Sequence, residues 1–371
     1  MVLLWIVIPI FIAYSILIFY YWKSWASIPE YIAEPFTPKT KISVIVPARN
    51  EEANIGALLT ALQHQSYPKE LTEIIVVDDH SEDNTADIVK DFDNVQLVTL
   101  RNDSINSFKK KAIEMGIASA NGQLIVATDA DCVPAVNWLQ TISSFHQTNG
   151  VVFIAAPVDI RCDSSFVQLF QAMDFMVLQG ITGAGVYKKK ISMCNGANVA
   201  YLRSAFEEVE GFKGIDHIAS GDDMLLMYKI WKKHPEKVHY LKSKDAIVST
   251  QPVKTWGEFF NQRIRWASKA RSYDDKRILP VLTLVYFLNL LFPLLIIAGF
   301  IEKDYWIAAF VFWVAKTLVE LPLYWSLANY FNKTWTLKWF FFFQPLHLAY
   351  TLISGLLGQF GMYNWKGRRV R

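Results

Sequence analysis

Four long stretches of the chain are almost wholly apolar, and they lie toward its two ends. Residues 2–22 carry no charge, and further apolar stretches follow at about 278–301, 305–331 and 339–365. About 20 consecutive apolar residues are enough for a helix to cross the hydrocarbon core of a bilayer. The pattern therefore predicts one amino-terminal and about three carboxyl-terminal membrane helices. A cleaved secretory signal is the alternative for the first stretch, but no basic region precedes it.

Between these stretches, short β-branched runs alternate with segments of helical periodicity. The runs lie at residues 41–46, 73–77, 95–100 and 124–128, and helical patterns lie at residues 52–65 and 85–92. Strands that alternate with helices at this spacing indicate βαβ units. We therefore predict an α/β fold with a mainly parallel sheet. Apolar residues at helical spacing over 166–179 indicate a further helix, either in the core or on the membrane.

These patterns divide the chain into an anchor, a globular middle and a membrane region. The predicted bounds are 1–23 for the anchor, 24–40 for a proline-containing linker, 41–273 for the globular domain, 278–365 for the membrane segments and 366–371 for a basic tail. Within the globular domain, a helix near 256–273 has the aromatic and basic pattern of an interfacial amphipathic helix.

Composition and charge agree with a membrane protein that does not bind nucleic acid. Of the 371 residues, 52% are hydrophobic, which is rich for a soluble protein. The net charge of +3 is small, and no long basic run contains interleaved aromatics. The three cysteines have no metal-ligand spacing, which favours a reducing compartment. Residues 188–190 and the basic tail suggest contact with anionic lipid head groups, with solvated surface as the alternative.

Two aspartates, Asp129 and Asp131, follow the fourth strand run and are one residue apart. Acids at the carboxyl end of a strand face the crevice in which open α/β sheets bind ligands. Two uncompensated carboxylates would repel each other, so a hard divalent cation with oxygen ligands is their natural partner. Polar residues also follow the first two strands, where Asn50 and Ser81 have the alternative role of helix caps.

Taken in order, the polar segments resemble those of glycosyltransferase family 2. The matching pieces are residues 44–52, Asp78-Asp79, Lys109, Asp129-Ala130-Asp131, Gly221-Asp222-Asp223 and the run from Gln262 to Trp266. The resemblance covers about residues 41–270 and implies a GT-A-type domain that binds a nucleotide sugar. Flanking membrane helices are familiar in the branches of the family that glycosylate lipids or synthesise polysaccharides.

The resemblance also implies a site for a UDP-sugar donor and a metal ion. The matching donor positions are Pro47, Arg49 and Glu51 around the nucleoside, and Asp79 as the acid that pairs with uracil. Lys109 matches a basic position near the sugar-nucleotide. Because Lys110 and Lys111 are adjacent, the assignment of this position is open by one residue. Asp129 and Asp131 match the DxD motif, which holds Mg²⁺ or Mn²⁺ against the diphosphate. Asp131 is the firmer metal ligand of the two, whereas Asp129 more often lies toward the ribose or the donor sugar.

Catalytic and acceptor positions follow from the same resemblance. Asp223 matches the catalytic base, the last acid of the xED motif, and Asp222 stands where the family usually has glutamate. Asn195 and Gly196 match a segment on the acceptor side, for which a simple turn between strands is the alternative. Gln262, Arg265 and Trp266 match the QxxRW motif, which in the family lies where the catalytic domain meets the membrane and contributes to donor binding.

The predicted function is the inverting transfer of a sugar to the hydroxyl of a membrane lipid. A processive polysaccharide synthase is the alternative function. It is less favoured because three carboxyl-terminal segments are few for enclosing a polymer channel. Asp129-Ala130-Asp131-Cys132-Val133 also spells a haloacid-dehalogenase phosphohydrolase motif, but that chemistry leaves Asp79 and the QxxRW run without a role. An inactive scaffold subunit is a further alternative.

The expected location is the cell (inner) membrane, with the catalytic domain on the cytoplasmic side and the oligomeric state open. Three full carboxyl-terminal spans would leave the basic tail outside, against the positive-inside tendency. The stretch at 305–331 is therefore predicted to be re-entrant or interfacial. It contains Lys316 and Glu320, which mark either a functional pathway or a mutually paired contact within the bundle.

Overall fold

The computed structural model describes residues 3–100, 107–162, 165–218, 221–268 and 274–360, together with the backbone of 363–365 and 368–370. The chain forms two compact units. The first, here called the helix unit, comprises Met1–Ile28, Cys162–Ile191 and Pro252–Tyr363. The second, here called the sheet unit, comprises Pro29–Arg161, Ser192–Gln251 and Asn364–Arg371.

The helices and strands have the following bounds in chain order. The helices are α1 (Leu4–Ala26), α2 (Ile55–Gln63), α3 (Thr85–Lys90), α4 (Phe108–Ser119), α5 (Trp138–Asn149), α6 (Phe166–Tyr187), α7 (Arg203–Glu208), α8 (Met224–Lys233), α9 (Trp256–Ser268), α10 (Leu279–Ala298), α11 (Asp304–Tyr330) and α12 (Leu337–Leu357). The strands are β1 (Ile42–Ala48), β2 (Thr72–Asp78), β3 (Val95–Thr99), β4 (Leu124–Ala127), β5 (Cys132–Pro134), β6 (Phe153–Ala155), β7 (Val158–Ile160), β8 (Val199–Leu202), β9 (Val238–Tyr240), β10 (Val248–Thr250), β11 (Tyr363–Trp365) and β12 (Arg368–Val370).

A seven-stranded sheet forms the core of the sheet unit, in the order β3-β2-β1-β4-β8-β6-β9. Strands β3, β2, β1 and β4 are parallel to one another, and β8 runs antiparallel to both of its neighbours. Every residue of β4 is buried, as is almost every residue of β1, because parallel strands are covered on both faces. The predicted α/β fold with a mainly parallel sheet is confirmed.

The strand order places a topological switch point between β1 and β4. The chain passes from β1 outward through β2 to β3, and then returns to form β4 on the other side of β1. Crossover connections therefore leave β1 and β4 in opposite directions, which opens a crevice at their carboxyl ends. A smaller sheet of order β5-β10-β7 begins immediately beyond Asp131, and β11 pairs with β12 in a two-stranded sheet.

Pro47 lies in a central strand without breaking the ladder. The carbonyl of Ile45 accepts a hydrogen bond from Thr128, so Ile45 faces β4, and Pro47, two residues further on, faces the same side. The pairing with β4 ends at Ile45 opposite Ala127, so the missing N–H of Pro47 falls beyond the last ladder bond. The proline therefore stands where the crevice opens.

Among its described residues, the helix unit contains four helices that are long and apolar enough to cross a membrane. They span Leu4–Ala26, Lys276–Ala298, Asp304–Tyr330 and Thr334–Phe360, and each overlaps one of the four predicted stretches. Helix α1 packs against α6, α10 and α11, with Phe11 edge-on to Phe312 at 5.2 Å between ring centroids. Many large apolar side chains on these helices are exposed, among them Trp5 and Ile297. Such a surface suits a lipid environment, and the protein is membrane-associated.

Some predicted features end elsewhere or fall outside the described residues. The stretch at 305–331 forms one continuous helix of 27 residues, about 40 Å at 1.5 Å per residue, and its re-entrant placement stays a prediction. A helix, α9, is present over the first part of the predicted range 256–273, and its interfacial position stays a prediction. Residues 269–273 and the side chains of the basic tail lie outside the described part of the structure. The predicted domain bounds stay a prediction, although Cys162–Ile191 belongs to the helix unit.

Candidate functional site

The loops that follow β1 and β2 are bound to each other at the carboxyl edge of the sheet. Arg49 donates from Nη1 to the carbonyl oxygens of Asp79, at 2.9 Å, and His80, at 3.2 Å. The backbone N–H of Asn50 donates to Ser81 Oγ, and Asn50 Oδ1 accepts from the N–H of Glu82. Asn50 and Ser81 therefore join the two loops, whereas Asn54 and Asn84 are the cap positions of the following helices.

Asp79 is buried at this edge, and its position is set by backbone as well as side-chain contacts. Its N–H donates to the carbonyl of Ala48, and Oδ1 lies 3.0 Å from His80 Nδ1. Asn50 and His80 have φ values of 50° and 54°, in the left-handed region, so both loops turn sharply after their strands. Glu51 accepts from Asn54 Nδ2 at 2.8 Å and so closes the first loop. These contacts make a rigid rim on one side of the crevice.

A second group of charged side chains has Lys109 at its centre. Lys109 Nζ lies 2.6 Å from Asp129 Oδ1 and 3.2 Å from Asp222 Oδ2. Burial alone lowers the pKa of Lys109, but the carboxylates of Asp129, Asp222 and Asp223 outweigh it and raise the pKa well above its ordinary value. Lys109 therefore stays charged and neutralises part of the acidic cluster.

Of the three consecutive lysines, Lys109 lies in this cluster, and the other two have different partners. Lys110 is buried on another face of α4 and donates to the carbonyl oxygens of Ile215 and Ile218, both at 2.6 Å. Lys111 bonds Glu114 on the same helix at 3.2 Å. Successive helical residues point about 100° apart, so the three lysines face different surroundings.

Asp223 is held in one orientation by two backbone N–H groups. Oδ1 accepts from the N–H of Met224 at 2.7 Å, as the cap of α8, and Oδ2 accepts from the N–H of Gly196 at 2.9 Å. Each carboxylate oxygen has two lone pairs, so one on each oxygen is left to accept a proton from a substrate. The adjacent Asp222 is also buried, and Gly221 before it has a φ of 79°. The carboxylate of Asp223 is thus fixed but still able to act as a base.

Gly196 and Asn195 belong to a turn that brings the backbone against the Lys109 cluster. Asn195 Oδ1 accepts from the N–H of Ala197 at 3.0 Å, and its carbonyl accepts from Asn198 at 2.9 Å. Asn198 is fully buried and donates to two carbonyl oxygens while its Oδ1 accepts from Trp138 Nε1 at 2.9 Å. The turn that we considered as an alternative is present, and it also supplies the N–H that holds Asp223.

Replacing Gly196 with alanine should disturb the Lys109 cluster directly. An added Cβ would lie 3.1 Å from Asp222 Oδ2 and 3.2 Å from Lys109 Nζ, so these groups would have to move by a few tenths of an ångström. We expect kcat/KM for the donor to fall about tenfold, because small misplacements of catalytic groups are costly. The matched control is Gly56→Ala on α2, where a Cβ meets only Ile88 at 3.9 Å. Equal kinetics for both variants would contradict this expectation.

Asp129 and Asp131 supply the oxygen ligands that a hard divalent cation requires. Among the residues that the structure describes, no group of three or more His, Cys, Asp or Glu side chains is arranged to hold a metal. Mg²⁺ typically binds one or two protein carboxylates and completes its shell with substrate phosphates and water. The neighbouring Cys132 thiol has its pKa raised by burial and then by Asp131 and Asp129, so it stays protonated and offers no soft ligand. The residues present thus fit Mg²⁺ or Mn²⁺ bound together with a diphosphate.

The QxxRW residues lie in the helix unit, on α9, and the Lys109 cluster is made entirely of residues from the sheet unit. Gln262, Arg265 and Trp266 are all half-buried, and the buried cation of this helix is Arg263, which lies between them in sequence.

The sequence analysis missed Arg263 and its partner Asp174. It also missed Tyr201, a buried residue of β8 whose pKa is raised by burial and then by Asp222. An isolated acid inside the apolar pattern of α6 was the available signal for Asp174.

Comparison with known proteins gives consistent matches. Residues 43–210 match the model of glycosyl transferase family 2. The chain is 28% identical over 319 residues to the probable glycosyltransferase YdaM of Bacillus subtilis, covering 76% of this chain and 74% of that protein. It is 25% identical over 228 residues to a poly-beta-1,6-N-acetyl-D-glucosamine synthase of Staphylococcus epidermidis, covering 61% of this chain and 53% of the synthase. The solved structure of the mannosyltransferase PcManGT from Pyrobaculum calidifontis, in complex with GDP-Man and Mn²⁺, aligns with a TM-score of 0.60 at 21% identity, covering 96% of this chain and 99% of that one.

Proposed function

This chain belongs to glycosyltransferase family 2 and has the GT-A-like fold, and from that premise we propose that it transfers a sugar from a UDP-sugar to a hydroxyl group of a membrane lipid. The observation that carries the proposal is the convergence of Asp129, Asp222 and Asp223 around Lys109 at the switch point of the sheet. A cluster of acids around one partly buried cation suits a reaction in which an anionic leaving group departs and a proton is transferred. The family match decides against the phosphohydrolase interpretation.

Asp79 supports uridine as the nucleoside. Its carboxylate is buried at the end of β2, and Arg49 holds the backbone of its loop by two hydrogen bonds. A buried carboxylate that accepts the ring N–H of uracil favours this base, because a base lacking that donor would lose the hydrogen bond. In this proposal Pro47 and Glu51 complete the nucleoside side of the crevice, and Gln262, Arg265 and Trp266 contribute to the donor site as the family resemblance implies.

The proposed reaction inverts the anomeric carbon in a single displacement. The hydroxyl oxygen of the acceptor attacks C1 of the sugar while its proton passes to Asp223, and the bond from C1 to the diphosphate oxygen breaks with its electron pair. Asp129 and Asp131 would hold Mg²⁺ or Mn²⁺ at the diphosphate. When bound, that ion supplies positive charge against the negative charge that grows on the departing UDP. Lys109 holds Asp129 and Asp222 in place, and Asn195 and Gly196 border the acceptor side.

The helix unit supports a lipid acceptor. Four helices of sufficient length and apolar character keep the protein in the bilayer, where the apolar part of a lipid can stay while its hydroxyl reacts. The inner membrane and a cytoplasmic catalytic domain remain part of this proposal, because cytoplasmic nucleotide sugars would then be accessible. Processive synthesis of a polysaccharide is the second candidate, favoured by the similarity to the poly-beta-1,6-N-acetyl-D-glucosamine synthase.

A donor panel tests the proposal. The purified protein in native lipids is incubated with radiolabelled UDP-glucose, UDP-galactose, UDP-N-acetylglucosamine and GDP-mannose, with Mg²⁺ or Mn²⁺, and the products are separated by organic extraction and size. We expect label from one UDP-sugar in a low-mass, organic-soluble product. A high-mass polymer would replace this proposal with the polysaccharide candidate. Turnover of GDP-mannose alone would overturn the uridine assignment.

A further inference from the structure

A buried ion pair joins α6 to α9 in the helix unit. Arg263 donates to Asp174 Oδ2 from Nη2, at 2.7 Å, and from Nε, at 3.1 Å, and both side chains are only 3% exposed. Tyr350 of α12 donates to the other carboxylate oxygen of Asp174. Removing charges from water is costly, and a buried pair is retained only when each partner is well bonded. Asp174 therefore connects three helices through one carboxylate.

Arg263 also contacts two of the three residues that match QxxRW. Its Nη1 donates to Gln262 Oε1 at 2.8 Å, and its guanidinium carbon lies 4.3 Å from the centre of the Trp266 ring. Stacking of a guanidinium on an aromatic face is favourable and fixes the plane of the ring. The same guanidinium lies 4.6 Å from the Phe259 ring, which is fully buried. The position of Arg263 thus determines how Gln262 and Trp266 are presented.

The orientation of the Gln262 amide follows from its two partners. Besides Arg263, the Nε2 group of Gln171 donates to Gln262 Oε1, at 3.2 Å. Gln171 is itself held, because its Oε1 accepts from the N–H of Val253 at 2.9 Å. The guanidinium of Arg263 can only donate hydrogen bonds, so the amide of Gln262 must turn its oxygen toward Arg263. The donor group Nε2 of Gln262 is then left for another acceptor.

We propose that Asp174 is a positioning residue that acts through Arg263. It holds the guanidinium so that Gln262 offers Nε2 as a donor and Trp266 keeps one ring plane. An amide N–H can donate to the phosphate oxygens of a nucleotide sugar, and an indole ring held against a guanidinium can stack on the sugar ring. This inference rests on the proposed function and deepens it, since it assigns a role to a residue outside every motif of the family resemblance.

The helix unit offers a matched control for breaking a buried ion pair. Lys316 is fully buried on α11 and lies 2.7 Å from Glu320 Oε1, while Gln344 bonds both residues and Tyr14 donates to Glu320. Asp174→Asn and Glu320→Gln each replace a carboxylate that is paired with a buried cation. Both variants should lose thermal stability, because each leaves a cation without its anionic partner. Only Asp174→Asn changes the support of Gln262 and Trp266.

The test compares both variants by steady-state kinetics and by hydrogen exchange of residues 256–268, using the UDP-sugar that the donor panel identifies. We expect Asp174→Asn to raise KM for that donor about tenfold or more and to speed exchange in α9, whereas Glu320→Gln keeps KM within about twofold. Equal KM values in the two variants would overturn the positioning role. If Asp174→Asn does not fold, Arg263→Lys replaces it: lysine keeps the charge but lacks the fork, so the same rise in KM is expected and an unchanged KM overturns the inference.

Failure of the proposed function and failure of this inference give different results. A wild-type protein that transfers no sugar from any nucleotide donor would overturn the proposed function. The exchange measurement needs no turnover, so faster exchange of residues 256–268 in Asp174→Asn alone would still support the positioning role. Equal exchange in Asp174→Asn and Glu320→Gln would count against that role whether or not sugar is transferred.

Discussion

Replacing Asp223 with asparagine is expected to lower kcat for sugar transfer by about 10²- to 10⁴-fold, the usual contribution of a general base. The amide of asparagine cannot take up the proton of the acceptor hydroxyl. Its Oδ1 can still accept the N–H of Met224, and asparagine caps a helix as well as aspartate does. The start of α8 should therefore be retained, and nucleotide affinity should stay within about threefold of the unaltered protein because Asp223 does not contact the donor in the proposed reaction.

Two companion variants separate the chemistry from the structure in this experiment. Asp223→Ala removes the cap as well as the base, so it should unfold more easily by about 1 kcal/mol but lose no more kcat than Asp223→Asn. Asp216→Asn removes a carboxylate that is 69% exposed a few residues earlier, and it should leave kcat unchanged. Stopped-assay turnover and calorimetric titration with UDP provide the measurements. Normal turnover of Asp223→Asn would remove Asp223 as the base.

The fold could be predicted because each core strand corresponds to a short apolar run in the sequence. The predicted runs at 41–46 and 73–77 correspond to β1 and β2 with shifts of one or two residues at each end. Helix α2 begins three residues later than the predicted segment. Glu51 accepts the backbone N–H groups of Asn54 and Ile55 there, and Asn50 adopts a positive φ, so a tight turn precedes the helix. The backbone turn after Asn50, rather than periodicity, decides that boundary.

The residues at the strand ends of the site could be predicted from the sequence, but the contacts between distant segments could not. The acids after β2 and β4 had to meet at one sheet edge once the strands were parallel. The choice of Lys109 over Lys110 depends on helix phase, and Lys110 is taken by carbonyl oxygens more than 100 residues away. The N–H of Gly196 reaches Asp223 across 27 positions of sequence. Such contacts between distant segments leave no local pattern in the chain.

The pairing of Asp174 with Arg263 shows the same limit in the helix unit. The two residues are 89 positions apart, and only Asp174 has apolar residues on both sides, whereas Arg263 lies between Gln262 and Ile264. Buried charges of opposite sign demand partners, but the sequence offers several candidates for each of them. By contrast, Lys316 and Glu320 are four residues apart on one helix, and their contact could be predicted from spacing alone.

Replacing Asp131 with asparagine is expected to abolish the metal dependence of nucleotide binding. Loss of an outer-shell partner of a metal ligand already weakens metal binding by 10- to 100-fold, so loss of the ligand itself should weaken it by about 100-fold or more. In calorimetric titrations, Asp131→Asn with saturating Mn²⁺ should bind UDP no more tightly than the unaltered protein does with a chelator. Asp91 is an exposed residue that follows α3, and Asp91→Asn is the control because it removes the same charge away from the site. This variant should keep the full metal dependence of UDP binding.

Asp131 gives a sharper test than Asp129 because of what each carboxylate already contacts. Asp129 lies 2.6 Å from Lys109, so Asp129→Asn removes a possible metal ligand and also takes an anionic partner from Lys109. A fall in affinity in that variant would have two causes. Lys109 pairs with Asp129 and Asp222, so Asp131→Asn removes a possible metal ligand and leaves both of these ion pairs in place. Unchanged metal-dependent UDP affinity in Asp131→Asn would overturn its assignment as a ligand and leave the positive charge of Lys109 as the main support for the departing diphosphate.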